Sequence, residues 1–240
     1  MDNDRLDIVL VARGLVRSRT AAKVLILENK VLVNGVICNT PNKKVSKDDE
    51  IFVTEKQKYV GRGGEKLEGA LKFFNIDVSG KQCVDVGSST GGFTDCLLQV
   101  GAAHVTSVDV GRDQFDKVLL EKNIDKISLF EGTDIRDFKT GTSFDILVCD
   151  VSFISVKILI ESFYRLLKVG GIGVILIKPQ FEVGKGNTKK GIVREPELRE
   201  QALFDAISEF EKHNFKILGT CDSPIQGGDG NHEYFVCIQK

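Results

Sequence analysis

In this chain of 240 residues, the run from Cys83 to Thr94 (Cys-Val-Asp-Val-Gly-Ser-Ser-Thr-Gly-Gly-Phe-Thr) has residue types suited to holding a small ligand. A β-branched stretch ends at Val86, Gly87, Gly91 and Gly92 make a turn, and Phe93 opens an amphipathic segment. Such a strand–turn–helix unit lets backbone N–H groups and a helix N-terminus approach a ligand closely. A phosphate loop would need a lysine where Phe93 stands, and a dinucleotide loop a glycine where Ser89 stands. What remains is Asp85-x-Gly87-x-x-x-Gly91-Gly92, followed by Asp109 at the end of the next strand. A carboxylate about 20 residues on can accept from both ribose hydroxyls, which points to a nucleoside-like ligand. The alternative, a sharp turn that binds nothing, leaves Asp109 unexplained.

The elements that must position these residues can be read from apolar patterning. Strands are expected from Cys83 and at 104–109, 128–131, 144–150, 173–178, 216–218 and 233–238, with helices around 94–100, 112–122, 155–168 and 197–213. Continuous Val/Ile/Leu runs between helices predict a mostly parallel sheet covered by helices on both faces, an α/β fold. The last two strands, joined by a Pro/Gly loop without a helix, are expected to form an antiparallel edge. In such sheets the working residues lie beyond the carboxyl ends of the strands. Asp109, Asp150 and Lys178 fall there.

Residues 1–66 carry 13 Lys/Arg against 9 Asp/Glu, a net +4, which leaves −5 for the rest of a chain whose total is −1. A basic head on an acidic body suggests that one part meets a polyanion while the other does chemistry. In the head, Arg5–Gly14 and Thr20–Glu28 have helical spacing, with Gly14 as a stop and Ser18 as a cap. Val31–Cys38 reads as a hairpin around Asn34-Gly35, and Glu50–Val53 as a third strand. Arg13, Arg17, Arg19 and Lys23 cluster near the second helix start, where they can face a phosphate backbone or simply line a solvated helix face. Residues 54–59 read as a linker, which gives expected domains of 1–58 and 59–240. Six cysteines without a C-x-x-C pair read as buried thiols of a reducing cytoplasm, and three scattered histidines give no zinc-like spacing. No apolar stretch has the length of a membrane span and no secretory leader is recognisable.

Several motifs carry resemblances to known families. Arg5-Leu6-Asp7, Ser18–Ala22 and Val31–Gly35 resemble the RNA-binding module of the small-subunit ribosomal protein four family. The glycine turn with Asp109 resembles the S-adenosylmethionine loop of class I, Rossmann-like methyltransferases. This implies cofactor contacts from Asp85, Gly87, Ser88, Ser89, Thr90, Gly91, Gly92, Phe93, Thr94, Asp109 and Asp150, and from Asp134 toward the adenine amino group. Lys66, Asp150, Lys178 and Glu233 resemble the Lys-Asp-Lys-Glu tetrad of FtsJ-like RNA 2'-O-methyltransferases. The stretches 61–67, 84–94, 150–155 and 178–182 are similar to the TlyA family, over essentially the whole chain. That resemblance implies a ribosomal RNA cytidine 2'-O-methyltransferase that uses S-adenosylmethionine, while the ribosomal-protein-type module implies Arg5, Arg13, Arg17, Arg19 and Lys23 toward RNA; the cysteine and histidine spacing gives no metal site.

The tetrad also makes chemical sense by itself. A ribose hydroxyl is a poor nucleophile until a base takes its proton. A sulfonium methyl is already activated, so the protein mainly aligns oxygen, carbon and sulfur. A lysine acts as base when burial or a second cation disfavours its charge, and Lys178 with Lys66 offers such a pair. Asp150 would orient the base, with Lys66 and Glu233 positioning. The basic, glycine-rich segment 184–191 is expected to act as a flap or to be an idle loop. Two rivals to this reading are a membrane-damaging haemolysin and a non-catalytic RNA-binding ribosome factor; the first lacks any long basic amphipathic helix.

Overall fold

The computed structural model describes residues 4–16, 18–54, 58–184, 186–227 and 230–240. The chain separates into two compact units, Met1–Lys58 and Tyr59–Lys240. Arg17, residues 55–57 of the expected linker and Lys185 of the basic segment lie outside the described residues.

The first unit contains β1 (Asp4–Arg5), α1 (Leu6–Ala12), α2 (Arg19–Leu27), β2 (Val31–Val33), β3 (Val36–Ile37), β4 (Lys44–Val45) and β5 (Ile51–Val53). The Ser18 hydroxyl accepts the Ala21 N–H and caps α2, satisfying one of the donors a helix start leaves open. Asn34 and Gly35 take φ of 54° and 77°, the double positive φ of the two-residue turn that matches strand twist. β5 pairs with the other side of β2. Leu6, Leu10, Leu25 and Ile26 from the helices close over Val31, Val33 and Ile51. The two-residue ladder of β1 with β4 has no signal in the sequence, because neither piece is long enough to show alternation.

The second unit contains α3 (Gly63–Phe73), β6 (Gln82–Val86), α4 (Gly92–Gln99), β7 (His104–Asp109), α5 (Lys117–Lys122), β8 (Ile127–Glu131), β9 (Phe144–Cys149), α6 (Ile160–Leu166), β10 (Leu167–Ile177), α7 (Pro179–Glu182), α8 (Pro196–Lys212), β11 (Lys216–Asp222) and β12 (Tyr234–Gln239). Its sheet runs β8-β7-β6-β9-β10-β12-β11. All pairings are parallel except those of β12, antiparallel to both β10 and β11. Leu67, Phe93 and Leu97 cover one face; Phe163 and Phe210 cover the other.

The last two strands form the expected antiparallel edge: β12 slots between β10 and β11, because Phe235 to Ile238 are apolar and buried throughout, whereas β11 alternates exposed and half-buried residues and tolerates the rim. Two helix expectations need correction. The helix expected over 112–122 starts only at Lys117, capped by Asp116, since the N–H groups of Gln114 and Phe115 are drawn to Glu131 instead. The one expected over 155–168 is a 3-10 turn followed by the short α6, and α7 was not anticipated.

Candidate active site

The site forms where β6, β7, β9 and β10 end. Gly87 takes φ +82°, and a side chain there would put Cβ 2.7 Å from the Asp150 carbonyl oxygen, so only glycine lets the turn lie this close to the end of β9. The turn is held from its other side by Asp109, whose two carboxylate oxygens accept the N–H groups of Ser89 and Gly111, both at 2.7 Å. Each oxygen keeps a second lone pair for a ligand hydroxyl. A cleft of about 400 Å³ opens here, with Val86, Val108, Asp109, Asp134 and Ile135 in its wall. Asp134 is there as expected, but its carboxylate already holds the Arg136 guanidinium on both oxygens and the Arg136 N–H. That pairing keeps Asp134 below the usual carboxylate range.

An adjoining cleft of about 610 Å³ collects Lys66, Asp150, Lys178 and Glu233 beside Gly87, Ser88, Ser89, Thr90, Gly92 and Phe93. Lys66 reaches it because backbone meets backbone where α3 and α4 begin: a Cβ on Gly92 would come within 3.2 Å of the Gly64 nitrogen. The Lys66 ammonium donates to Glu233 at 2.5 Å, with both side chains almost wholly buried although 167 positions separate them. Lys178 Nζ stands 2.6 Å from Asp150 Oδ1 and donates a hydrogen bond of 2.8 Å to Ser152. The four groups therefore form two separate ion pairs. Each amine has its own carboxylate, and both lysines line the same cleft.

Three turn residues expected to touch a ligand do not line either cleft. Asp85 is fully buried and accepts the Thr94 hydroxyl at 2.6 Å, and Thr94 lies 2.7 Å from the Ser107 hydroxyl. This polar knot ties β6, α4 and β7 together beneath the turn. Burial pushes the Asp85 carboxyl up to about 7. Gly91 faces Phe115 and Leu119. In the first unit, Arg5 and Arg19 converge on the buried Asp7, which keeps part of each guanidinium exposed. Arg13 is engaged by the carbonyls of Ser46, Lys47 and Asp49, so its observed bonds brace a loop. Lys23 is exposed.

Sequence reasoning missed Ser152, Phe153 and Phe181. Phe153 is 91% exposed at the mouth of both clefts, with φ +65°, and its ring lies 5.2 Å from that of Phe181. The available signal was an aromatic three positions past a strand-end aspartate. Asn231, whose bonds could not be read from the sequence, is buried, donates to the Gly191 carbonyl and accepts the Val193 N–H, bringing the basic segment back beside Glu233, with Thr188 and Gly191 in the cleft wall.

Comparison with known proteins agrees with this geometry. The FtsJ-like methyltransferase family model matches residues 59–240, and the S4 domain model matches residues 4–51. The chain is 40% identical to hemolysin A of Brachyspira hyodysenteriae, over 97% of this chain and 98% of the relative. It is 38% identical to the 16S/23S rRNA (cytidine-2'-O)-methyltransferase TlyA of Mycobacterium tuberculosis, over 98% and 89%. A solved structure of a Streptococcus thermophilus protein named as a hemolysin superposes with TM-score 0.78 at 36% identity, covering 100% of this chain and 89% of the other. An S-adenosylmethionine dependent methyltransferase from Mesorhizobium loti shares the fold alone, at 16% identity and TM-score 0.56 over 75% of this chain and all of the other. The chain belongs to the FtsJ-like methyltransferase family, in the TlyA and hemolysin A group that joins this domain to an S4 domain.

Proposed function

We propose that this protein transfers a methyl group from S-adenosylmethionine to a ribose 2'-hydroxyl of ribosomal RNA, at a cytidine, in the cytoplasm. The observation that carries the reading is the meeting of Lys66–Glu233 and Lys178–Asp150 beside a glycine turn clamped by Asp109. The residues fit the cofactor: Gly87 lets the turn lie against the end of β9 at the cleft wall, and the buried Ser88 hydroxyl in the same wall finds no hydrogen-bond partner among the described residues. The turn and Ser88 would hold its amino-acid end, Asp109 its ribose, and the cleft beside Ile135 and Asp134 its adenine.

When bound, S-adenosylmethionine would supply a methyl carbon on a positively charged sulfur, the leaving group that would retain the bond's electron pair when the ribose oxygen takes the carbon. Lys178 accepts the hydroxyl proton on Nζ. Asp150 steadies the ammonium that forms, and the Lys66–Glu233 pair fixes the acceptor's sugar by hydrogen bonds. Phe153 offers an exposed ring on which an unstacked base can lie. In the head, the exposed portions of Arg5 and Arg19 with Lys23 suit phosphate contacts.

The test is incubation of the protein with labelled S-adenosylmethionine and ribosomal subunits, followed by mapping of 2'-O-methylation. Lys178→Ala should abolish transfer and leave RNA affinity within about threefold, because it removes the base and no phosphate contact. A fully active variant would show that Lys178 is not the base. The name hemolysin among the relatives suggests a second reading, and release of dye from lipid vesicles by the purified protein would support it. Among the described residues no helix is long and apolar enough to cross a membrane.

A further inference from the structure

We infer that Ser152 is a positioning residue for Lys178, holding one N–H of its amine so that the nitrogen lone pair faces the acceptor hydroxyl. The inference rests on the methyl-transfer reading above. Its first support is geometric. Lys178 lies between two oxygen partners, and its hydrogen bond goes to the Ser152 hydroxyl at 2.8 Å. Asp150 Oδ1 lies 2.6 Å from the same Nζ, the distance of a charge-assisted contact. Asp150 thus supplies the charged partner, while the Ser152 hydroxyl supplies a second, neutral one that fixes the direction of the amine.

The chemistry of the two partners differs in a way the reaction needs. A carboxylate favours the charged amine, which has no lone pair to take a proton. A hydroxyl is a neutral acceptor. It holds an N–H of the neutral amine and of the ammonium alike, so Nζ stays in place while the hydroxyl proton arrives.

The segment bearing Ser152 is also braced. Phe153 follows it in the left-handed region, an outlier for a bulky side chain. The Phe153 ring packs on Phe181. Glu182, its side chain 1% exposed, accepts the Ser155 hydroxyl at 2.6 Å and the Val156 N–H at 2.8 Å. The stretch after Asp150 and the helix after Lys178 are therefore joined at three successive points, and Ser152 meets Lys178 at the first of them. Because Ser152 itself is exposed, changing it should leave the fold intact.

The test uses the full chain with ribosomal subunits and labelled S-adenosylmethionine. Ser152→Ala should lower kcat about tenfold or more, as misaligned reacting groups do. KM for both substrates should stay within about twofold, since no ground-state contact is removed, and Tm should not change. Ser152→Thr, which keeps the hydroxyl, should restore most of the rate. A Ser152→Ala enzyme as fast as wild type at a ribose would overturn this inference alone, as would a loss that threonine does not restore. Wild-type protein that methylates a base nitrogen would overturn the preceding reading, and this inference with it.

Discussion

The two lysines of the site have unequal surroundings. Lys66 and Glu233 are both more than nine-tenths buried, so each is the other's main compensation for lost hydration. Removing one partner of such a pair leaves a charge stranded, at a cost of about 3–5 kcal/mol, whereas an apolar pair of similar volume can be neutral. Lys66→Ala should accordingly lower unfolding free energy by about that amount in denaturant melts. The double change Lys66→Met with Glu233→Leu should melt close to wild type and still transfer no methyl. Equal stability of the single and wild-type proteins would mean that water reaches the pair. Lys178 and Asp150 are more open, at 11% and 20% exposure, as a pair that must meet an acceptor has to be. Legibility at this scale is uneven. Asp109, Asp150 and Lys178 are marked by their place at strand ends, but the pairing of Lys66 with Glu233 is not. A carboxylate 167 positions away leaves no local pattern.

At the scale of elements, the glycine turn is the piece whose form and role coincide. Gly87 combines a positive φ with a 2.7 Å approach to a backbone oxygen that cannot swing aside. Gly87→Ala should bind S-adenosylmethionine at least about 100-fold more weakly by calorimetry, since left-handed strain and a displaced turn together exceed about 3 kcal/mol. Its circular dichroism should stay that of the wild type. Unchanged affinity would place the cofactor elsewhere. The turn is readable because it is local: glycine spacing, a β-branched run before and an apolar helix face after. The Asn34-Gly35 hairpin is readable for the same reason. The insertion of β12 between β10 and β11 is not, since strand order depends on which neighbours best cover an apolar ribbon. Asp85 and Thr94 show the same limit from the other side. They belong to the motif by position, yet a strand's alternation turns them inward to Ser107.

At the scale of the whole molecule, Asp7 in the first unit and Asp85 in the second are both fully buried, and the two respond to acid in opposite senses. Asp7 is held down to about 2, from 3.8, chiefly by its hydrogen bond with Arg5. Its contribution to stability is present above about pH 4 and is lost as pH falls through about 2. Asp85 is raised from 3.8 to about 7, chiefly by burial, so its contribution is complete below about pH 4 and is lost as pH rises through about 7. Asp7→Asn should destabilise the first unit at neutral pH and flatten its acid limb in pH-resolved melts. Asp85→Asn should flatten the second unit's decline between about pH 4 and 7. A wild-type second unit with no such decline would mean that Asp85 stays ionised. The basic head and acidic body, the α/β alternation, the ligand turn and the strand-end polar residues could all be read along the chain, because each depends on composition, short periodicity or residues within one turn of each other. The tertiary structure alone decided that Lys66 pairs with Glu233, that Ser152 directs Lys178, that Asp85 lies beneath the site, and that β12 runs inside the sheet. Those outcomes depend on burial and on contacts between distant segments, energies that arise only when the sheet has closed around its core.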